Sequence, residues 1–185
     1  MDHENVKIVN GEKIPTYLPL DKLSSMMESS DMKIFVIACE ALVLNGSYEA
    51  YALLRKYIDS RDKYRRRYIL SVIYHFSFAD ELTGELEKAI ISQDRILVHT
   101  ALEVLLNTRI QISDNSIIFA LRNGQSYIPR YYYSVINSLS KTEENYQAVL
   151  SLYRMNGNNH SNKIVIAENL YCFCNSSNFT ELFHF

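Results

Sequence analysis

The chain of 185 residues contains no tryptophan, three prolines, five glycines and three cysteines. So few backbone breakers exclude an all-β fold dense in tight turns and leave long segments free to form helices. The cysteines, Cys39, Cys172 and Cys174, are odd in number and imply no disulfide framework, which fits reduced thiols in a cytoplasm. No apolar run approaches the roughly eighteen residues of a membrane span, and the opening MDHENVKIVNGEK lacks a basic stretch followed by an apolar one. Neither sign of charge dominates. A net charge of −2 and a pI near 6.2 exclude whole-molecule attraction to nucleic acid or anionic lipid, so such binding needs a local patch. With 48% hydrophobic and 22% charged residues, the composition is that of a soluble globular domain.

Catalytic signatures are missing too. There is no Gly-x-Ser-x-Gly elbow, glycine-rich phosphate loop or His-Glu-x-x-His pair. The five histidines, His3, His75, His99, His160 and His184, never fall four apart. Cys172 and Cys174 point about 200° apart around a helix, so they cannot converge on one ion with His184. Asp80-Glu81 and Glu143-Glu144 fall where helices should start, where carboxylates complement the dipole. No enzymatic activity, metal or cofactor is expected.

What is present is a repeat. Residues 20 to 31, LDKLSSMMESSD, return as YALLRKYIDSRD at 51 to 62 and again ending LEKAIISQD at 94. Short polar residues that can end one helix and cap the next stand at Asp31, Asp62, Asp94 and Gln125, at intervals of 31, 32 and 31. After each comes a first helix with apolar residues at offsets one, four and five: Ala38/Ala41/Leu42, Ile69/Val72/Ile73, Ala101/Val104/Leu105 and Tyr132/Val135/Ile136. Second helices align as Leu23/Met26/Met27, Leu54/Tyr57/Ile58, Leu86/Ala89/Ile90, Ile117/Ala120/Leu121 and Val149/Leu152/Tyr153, each an i, i+3, i+4 stripe. Turn residues separate them at Asn45-Gly46-Ser47, Ser113-Asp114, Asn123-Gly124 and Lys141-Thr142-Glu143. A fifth first helix is predicted from 162 to 174. A hairpin of about 32 residues cannot bury both stripes alone, so neighbouring hairpins must stack.

Residues 1 to 19 stand apart as an extension or cap of a repeat domain spanning 20 to 185. Asn10-Gly11 between VKIV and EKI suits a two-residue β-hairpin turn, and a frayed tail ending at Pro15 and Pro19 is the open alternative.

Two-helix units of this period, with an Asp before the first helix and a centre like Ala101-Leu102-Glu103-Val104-Leu105, resemble short HEAT-like repeats over residues 20 to 174. A tetratricopeptide array is the nearest competitor through Gly46-Ser47-Tyr48-Glu49-Ala50, but its period of about 34 and its landmarks do not recur. The HEAT-like resemblance implies an all-α, right-handed α-α superhelix, with the second helices lining a concave surface that binds an extended protein partner.

Three features bear on binding. By register, Ser24-Ser25, Arg55-Lys56, Glu87-Lys88, Ile118-Phe119 and Leu150-Ser151 project from the second helices, a row that suits an amphipathic or acidic-plus-hydrophobic peptide. A non-enzymatic interaction scaffold is therefore the leading expectation. Residues 55 to 67 hold seven cations (Arg55, Lys56, Arg61, Lys63, Arg65, Arg66 and Arg67) against Asp59 and Asp62, interleaved with Tyr57 and Tyr64. That basic patch makes nucleic-acid binding the alternative. Phe179, Leu182, Phe183 and Phe185 begin an unfinished unit whose stripe leaves a homodimer through the C-terminal end open. Among fourteen tyrosines, Tyr131-Tyr132-Tyr133 spans almost a full helical turn, so at least one ring must face outward.

Overall fold

In the computed structural model, residues 6–9, 11–15, 17–77, 79–157 and 159–173 are described, and most of them are helical. The elements are β1 (Val6–Val9), β2 (Glu12–Pro15), α1 (Leu20–Met27), α2 (Met32–Asn45), α3 (Tyr48–Arg55), α4 (Lys63–Ile73), α5 (Thr83–Ile90), α6 (Arg95–Asn107), α7 (Asp114–Asn123), α8 (Glu143–Met155) and α9 (His160–Leu170). Short 3-10 helices span Ala79–Leu82, Arg130–Ser138 and Tyr171–Phe173. The chain divides into two compact units, Met1–Leu82 and Thr83–Phe185.

The first unit includes the N-terminal hairpin. Strands β1 and β2 pair antiparallel with Val6 opposite Pro15 and Val9 opposite Glu12, and Gly11 between them takes φ +82°. Glycine alone adopts that left-handed region without steric cost. β2 packs on α2 and buries Ile14, so the hairpin belongs to the first unit.

Capping explains where the helices begin. Asp31, Asp62 and Asp94 each accept from the second helical N–H, at 2.8 Å from Lys33, 2.9 Å from Tyr64 and 2.9 Å from Ile96. Two residues earlier, the hydroxyls of Ser29, Ser60 and Ser92 accept from the N–H of those same aspartates, at 3.1, 3.2 and 3.2 Å. This repeated Ser-x-Asp turn satisfies donors that helix starts otherwise leave orphaned, each cap stabilising by about 1 kcal/mol. Gly46, at φ +67°, closes α2 by donating to Leu42 O, and Ser47 then caps α3.

The fourth anchor departs from this pattern. Gln125 follows Asn123 and Gly124, with neither Ser nor Asp in place, and does not cap a helix. Tyr127 and Ile128 instead turn back on Gly124 O, and a 3-10 helix starts after Pro129. Gly124 is required there by close approach: a Cβ would meet Ile128 Cδ1 at 2.1 Å and Ala120 O at 2.8 Å. The fifth first helix also differs, since α9 starts at His160 and its last turn is 3-10, while Cys174 lies outside the described residues.

Each unit has its own core. In the first, α2 packs against α1, α3 and α4, and the second helices α1 and α3 touch. In the second, α5, α7 and α8 form one row through the pairs α5 with α7 and α7 with α8. α6, the 3-10 helix Arg130–Ser138 and α9 form the other row. The apolar stripes face inward: Leu23, Met27, Leu54, Leu86, Ile90, Ile117, Leu121, Val149 and Leu152 are all buried, as are all twelve stripe residues of the first helices. Asparagine amides link α8 to α9, where Asn162 Nδ2 donates to Asn156 Oδ1 at 3.0 Å.

Candidate functional site

The second-helix row of the Thr83–Phe185 unit carries the most distinctive surface. Taking Leu86, Ile117 and Val149 as equivalent, positions −2, +2, +5 and +6 lie within about 100° of one another around an ideal helix, opposite the buried stripe. On α5 and its following turn they are Gly84, Lys88, Ile91 and Ser92; on α7, Asn115, Phe119, Arg122 and Asn123; on α8, Gln147, Ser151, Arg154 and Met155. None is acidic. Each helix contributes one cation and one large apolar side chain: Lys88 with Ile91, Arg122 with Phe119, Arg154 with Met155. Ile91, Phe119 and Met155 are 48%, 51% and 49% exposed, and all three cations are exposed as well. Gln125 Nε2, just beyond α7, lies 3.8 Å from Met155 Sδ, which places the C-terminal ends of α7 and α8 side by side.

The corresponding face of the Met1–Leu82 unit is different in kind. Its residues are Asp21, Ser25, Glu28 and Ser29 from α1 with its following turn, and Ala52, Lys56, Asp59 and Ser60 from α3 with its following turn. Three carboxylates face one cation, and no large apolar residue is present. Glu28 accepts the Tyr57 hydroxyl, whose pKa burial and that carboxylate push up to about 12.

Of the residues projected onto the concave row, Lys88 and Phe119 are exposed on α5 and α7. Ile118 and Leu150 are not. They are 7% and 2% exposed, because a second helix flanked by neighbours buries a broader sector than the i, i+3, i+4 stripe. Glu87 sits at the same +1 position, half-buried, with its carboxylate accepting Ser113 N–H at 2.7 Å as a staple between α5 and α7. Arg55, also at +1, reaches Glu81 at 3.3 Å in a partly exposed ion pair, and Lys56 beside it is exposed. Ile91, Arg122, Arg154 and Met155 complete the face and escaped the sequence reading, although the repeat register at +5 and +6 marks them.

The basic patch resolves into residues with different jobs. Arg65 does not face solvent as a ligand would: its guanidinium donates to Met27 O at 3.1 Å and to Ser29 O, and lies 4.7 Å from the centre of the Phe35 ring. Those carbonyls end α1, so Arg65 ties the first hairpin to the second. Arg66 is half-buried, with Nε enclosed. Arg61, Lys63 and Arg67 are exposed around Tyr64, itself 57% exposed with Lys63 5.2 Å from its ring centre.

The remaining candidates carry little chemistry. A cavity of about 510 Å³ is lined by Gln111, Ser113, Asp114, Ser138, Ser140 and Lys141. Its charges are tied into the fold: Asp114 accepts Ser140 N–H at 3.2 Å and Asn145 Nδ2 at 2.7 Å, and Lys141 donates to Asn137 O over the Phe173 ring. Burial lowers the Lys141 pKa. Burial raises the Cys39 thiol far above its usual range, so Cys39 is a packing residue rather than a nucleophile. His99 stacks between Tyr127 and Tyr132, while Tyr131 is the outward ring of its triplet at 53% exposure. Among the described residues, no three His, Cys, Asp or Glu side chains gather closely enough for a metal ion, and no helix is long and apolar enough to cross a membrane. Cys174, His3, His184 and the apolar residues Phe179, Leu182, Phe183 and Phe185 lie outside the described residues. Comparison of the chain with family models, curated protein sequences and solved structures returns no match.

Proposed function

We propose that this chain is a non-enzymatic interaction scaffold of the cytoplasm, built from HEAT-like helical hairpins, that binds a protein partner on the exposed second-helix face of α5, α7 and α8. The observation that carries the reading is the coincidence of three exposed apolar side chains with three exposed cations along one row of second helices. Scattered exposed apolar residues are ordinary on a soluble protein, but one per helix on the same side of three neighbouring helices is of the kind that marks interaction sites. Phe119 is the natural anchor, because aromatic residues dominate interface energetics.

The test is capture of a partner by wild-type protein and by Phe119→Asp and Met155→Asp, with Arg67→Glu as a control on the other unit. Both substitutions fall on exposed positions and should leave the helical circular dichroism unchanged. Loss of the same partner band with both, and retention with the control, supports the proposal; capture that ignores Phe119 and Met155 removes it.

A second reading, nucleic-acid binding, keeps the exposed cations Lys56, Arg61, Lys63 and Arg67 and the exposed Tyr64, with Lys63 5.2 Å from its ring centre. Four phosphate contacts give a slope of log K against log salt of roughly −3 to −4. No binding to single- or double-stranded DNA or RNA at low salt eliminates it.

A further inference from the structure

We infer that one edge of the Thr83–Phe185 unit, where its second helices end and its first helices begin, binds single-stranded nucleic acid. The site adjoins the α5, α7 and α8 face without depending on its role, and it is distinct from the Tyr64 patch of the other unit.

The observation is a segregation of charge. The connections after α5, α7 and α8 lie side by side: Arg95 Cζ, opening α6, is 4.8 Å from the centre of the Tyr127 ring, and Gln125 Nε2 is 3.8 Å from Met155 Sδ. Residues 88 to 95, 119 to 131 and 152 to 163 carry Lys88, Arg95, Arg122, Arg130, Arg154 and Lys163, with Asp94 the one carboxylate among them. Asp94 is committed to capping α6 through Ile96 N–H at 2.9 Å. The acids gather at the other ends of these helices. Glu85, Asp114, Glu143 and Glu144 stand in the first turns of α5, α7 and α8. Glu144 precedes Arg154 by ten residues, about 15 Å along α8 and nearly two Debye lengths at physiological salt, so it does little to cancel the cationic edge.

Helix stability does not account for the cations. Lys88 and Arg122 complement a helix C-terminus, but Arg95 and Arg130 open their helices and Lys163 is the fourth residue of α9, where a positive charge works against the dipole. Arg154 is already engaged within the fold, so Arg95, Arg122 and Arg130, all exposed, are the phosphate ligands. Arg95 lies over Tyr127, and Tyr131, 53% exposed, follows Arg130. Exposed amides and hydroxyls, Gln93, Asn123, Ser126 and Asn159, fill much of the rest of the edge. Cations beside an outward aromatic ring suit the phosphates and unstacked bases of a single strand. A lipid surface calls instead for a continuous apolar face.

Fluorescein-labelled oligouridylate, oligothymidylate and a DNA duplex are titrated against the full chain by anisotropy at low and rising salt, and phosphatidylserine vesicles are tested by co-sedimentation. Three to five phosphate contacts with a single strand give a slope of log K against log salt of about −2 to −3.5. Arg122→Gln/Arg130→Gln should weaken both single strands at least tenfold and flatten the slope by about 1.4. Tyr131→Ala should weaken them severalfold at unchanged slope, and Tyr131→Phe should not. Arg61→Gln/Lys63→Gln, on the other unit, should leave affinity and slope as they are.

A preference for the uridylate identifies RNA as the ligand and a preference for the thymidylate DNA; either supports the site. Loss in Arg61→Gln/Lys63→Gln with retention in Arg122→Gln/Arg130→Gln overturns the inference in favour of the Tyr64 patch. Duplex binding as tight as single-strand binding, or binding to vesicles alone, also overturns it. No binding of any oligonucleotide at low salt removes this site and the Tyr64 reading together, and none of these outcomes bears on partner capture through Phe119.

Discussion

Replacing Arg65 with alanine separates a structural arginine from a ligand-binding one. Its side chain is 16% exposed and makes three kinds of contact: hydrogen bonds to Met27 O and Ser29 O, a cation-π contact with Phe35, and a 3.7 Å approach to Asp62. Hydrogen bonds from a charged donor contribute about 1.5–3 kcal/mol. The partly desolvated cation-π contact adds roughly 0.5–2 kcal/mol. Water entering the vacated space recovers some of this, so Arg65→Ala should cost about 2–4 kcal/mol and lower Tm by roughly 5–15 °C. Arg67→Ala, two residues away and exposed, should stay within about 0.5 kcal/mol. Thermal and urea unfolding followed by circular dichroism measure both, and hydrogen exchange should localise the Arg65 loss to α1 and the start of α2. An Arg65→Ala protein as stable as wild type refutes the assignment, the more so if its affinity for polyanions falls.

Other consequences are as direct. Asp114→Ala leaves the Ser140 N–H and the 5% exposed Asn145 amide without their carboxylate, and should cost about 1–3 kcal/mol by urea unfolding, whereas Asn115→Ala beside it should not. Tyr57 titrates near 12, above the ordinary tyrosine value of about 10, because burial and Glu28 favour the neutral phenol. The folded state thus gains stability that is complete below pH about 10 and lost as pH rises toward 12, and Tyr57→Phe should flatten that alkaline loss in pH-dependent unfolding. Cys39 should resist alkylation until the protein unfolds, while Cys172, exposed on the last 3-10 turn, reacts in the native state; mass spectrometry of the alkylated peptides distinguishes them.

The parts of the fold that could be read from residues are those governed by local chemistry. An aspartate that caps a helix does so through its own backbone neighbourhood, so Asp31, Asp62 and Asp94 mark helix starts wherever the rest of the chain lies. Apolar periodicity likewise identifies the inward side of each helix. It does not give the width of the buried sector, which depends on how many neighbours flank the helix, and so the stripe alone leaves Ile118 and Leu150 on the outer side. The same blindness hides Arg65: it stands among six other cations in sequence, and only the arrival of α1's last carbonyls gives it a different task. At Gln125 the spacing of the repeat persisted while its chemistry did not, and the first helix after it became 3-10. Of the proposed face, Lys88 and Phe119 are legible in the sequence; Ile91, Arg122, Arg154 and Met155 lie about one turn further along each helix, and the second helices must be seen side by side to find them.

The most direct measurement is photo-crosslinking of the bound partner from defined positions. A benzophenone amino acid at 119 on α7 or at 155 on α8 should give the same partner adduct, and the same probe at 67 or 131 should give none. Adducts concentrated at 67 or 131, with none from 119 and 155, contradict the assignment of the binding face.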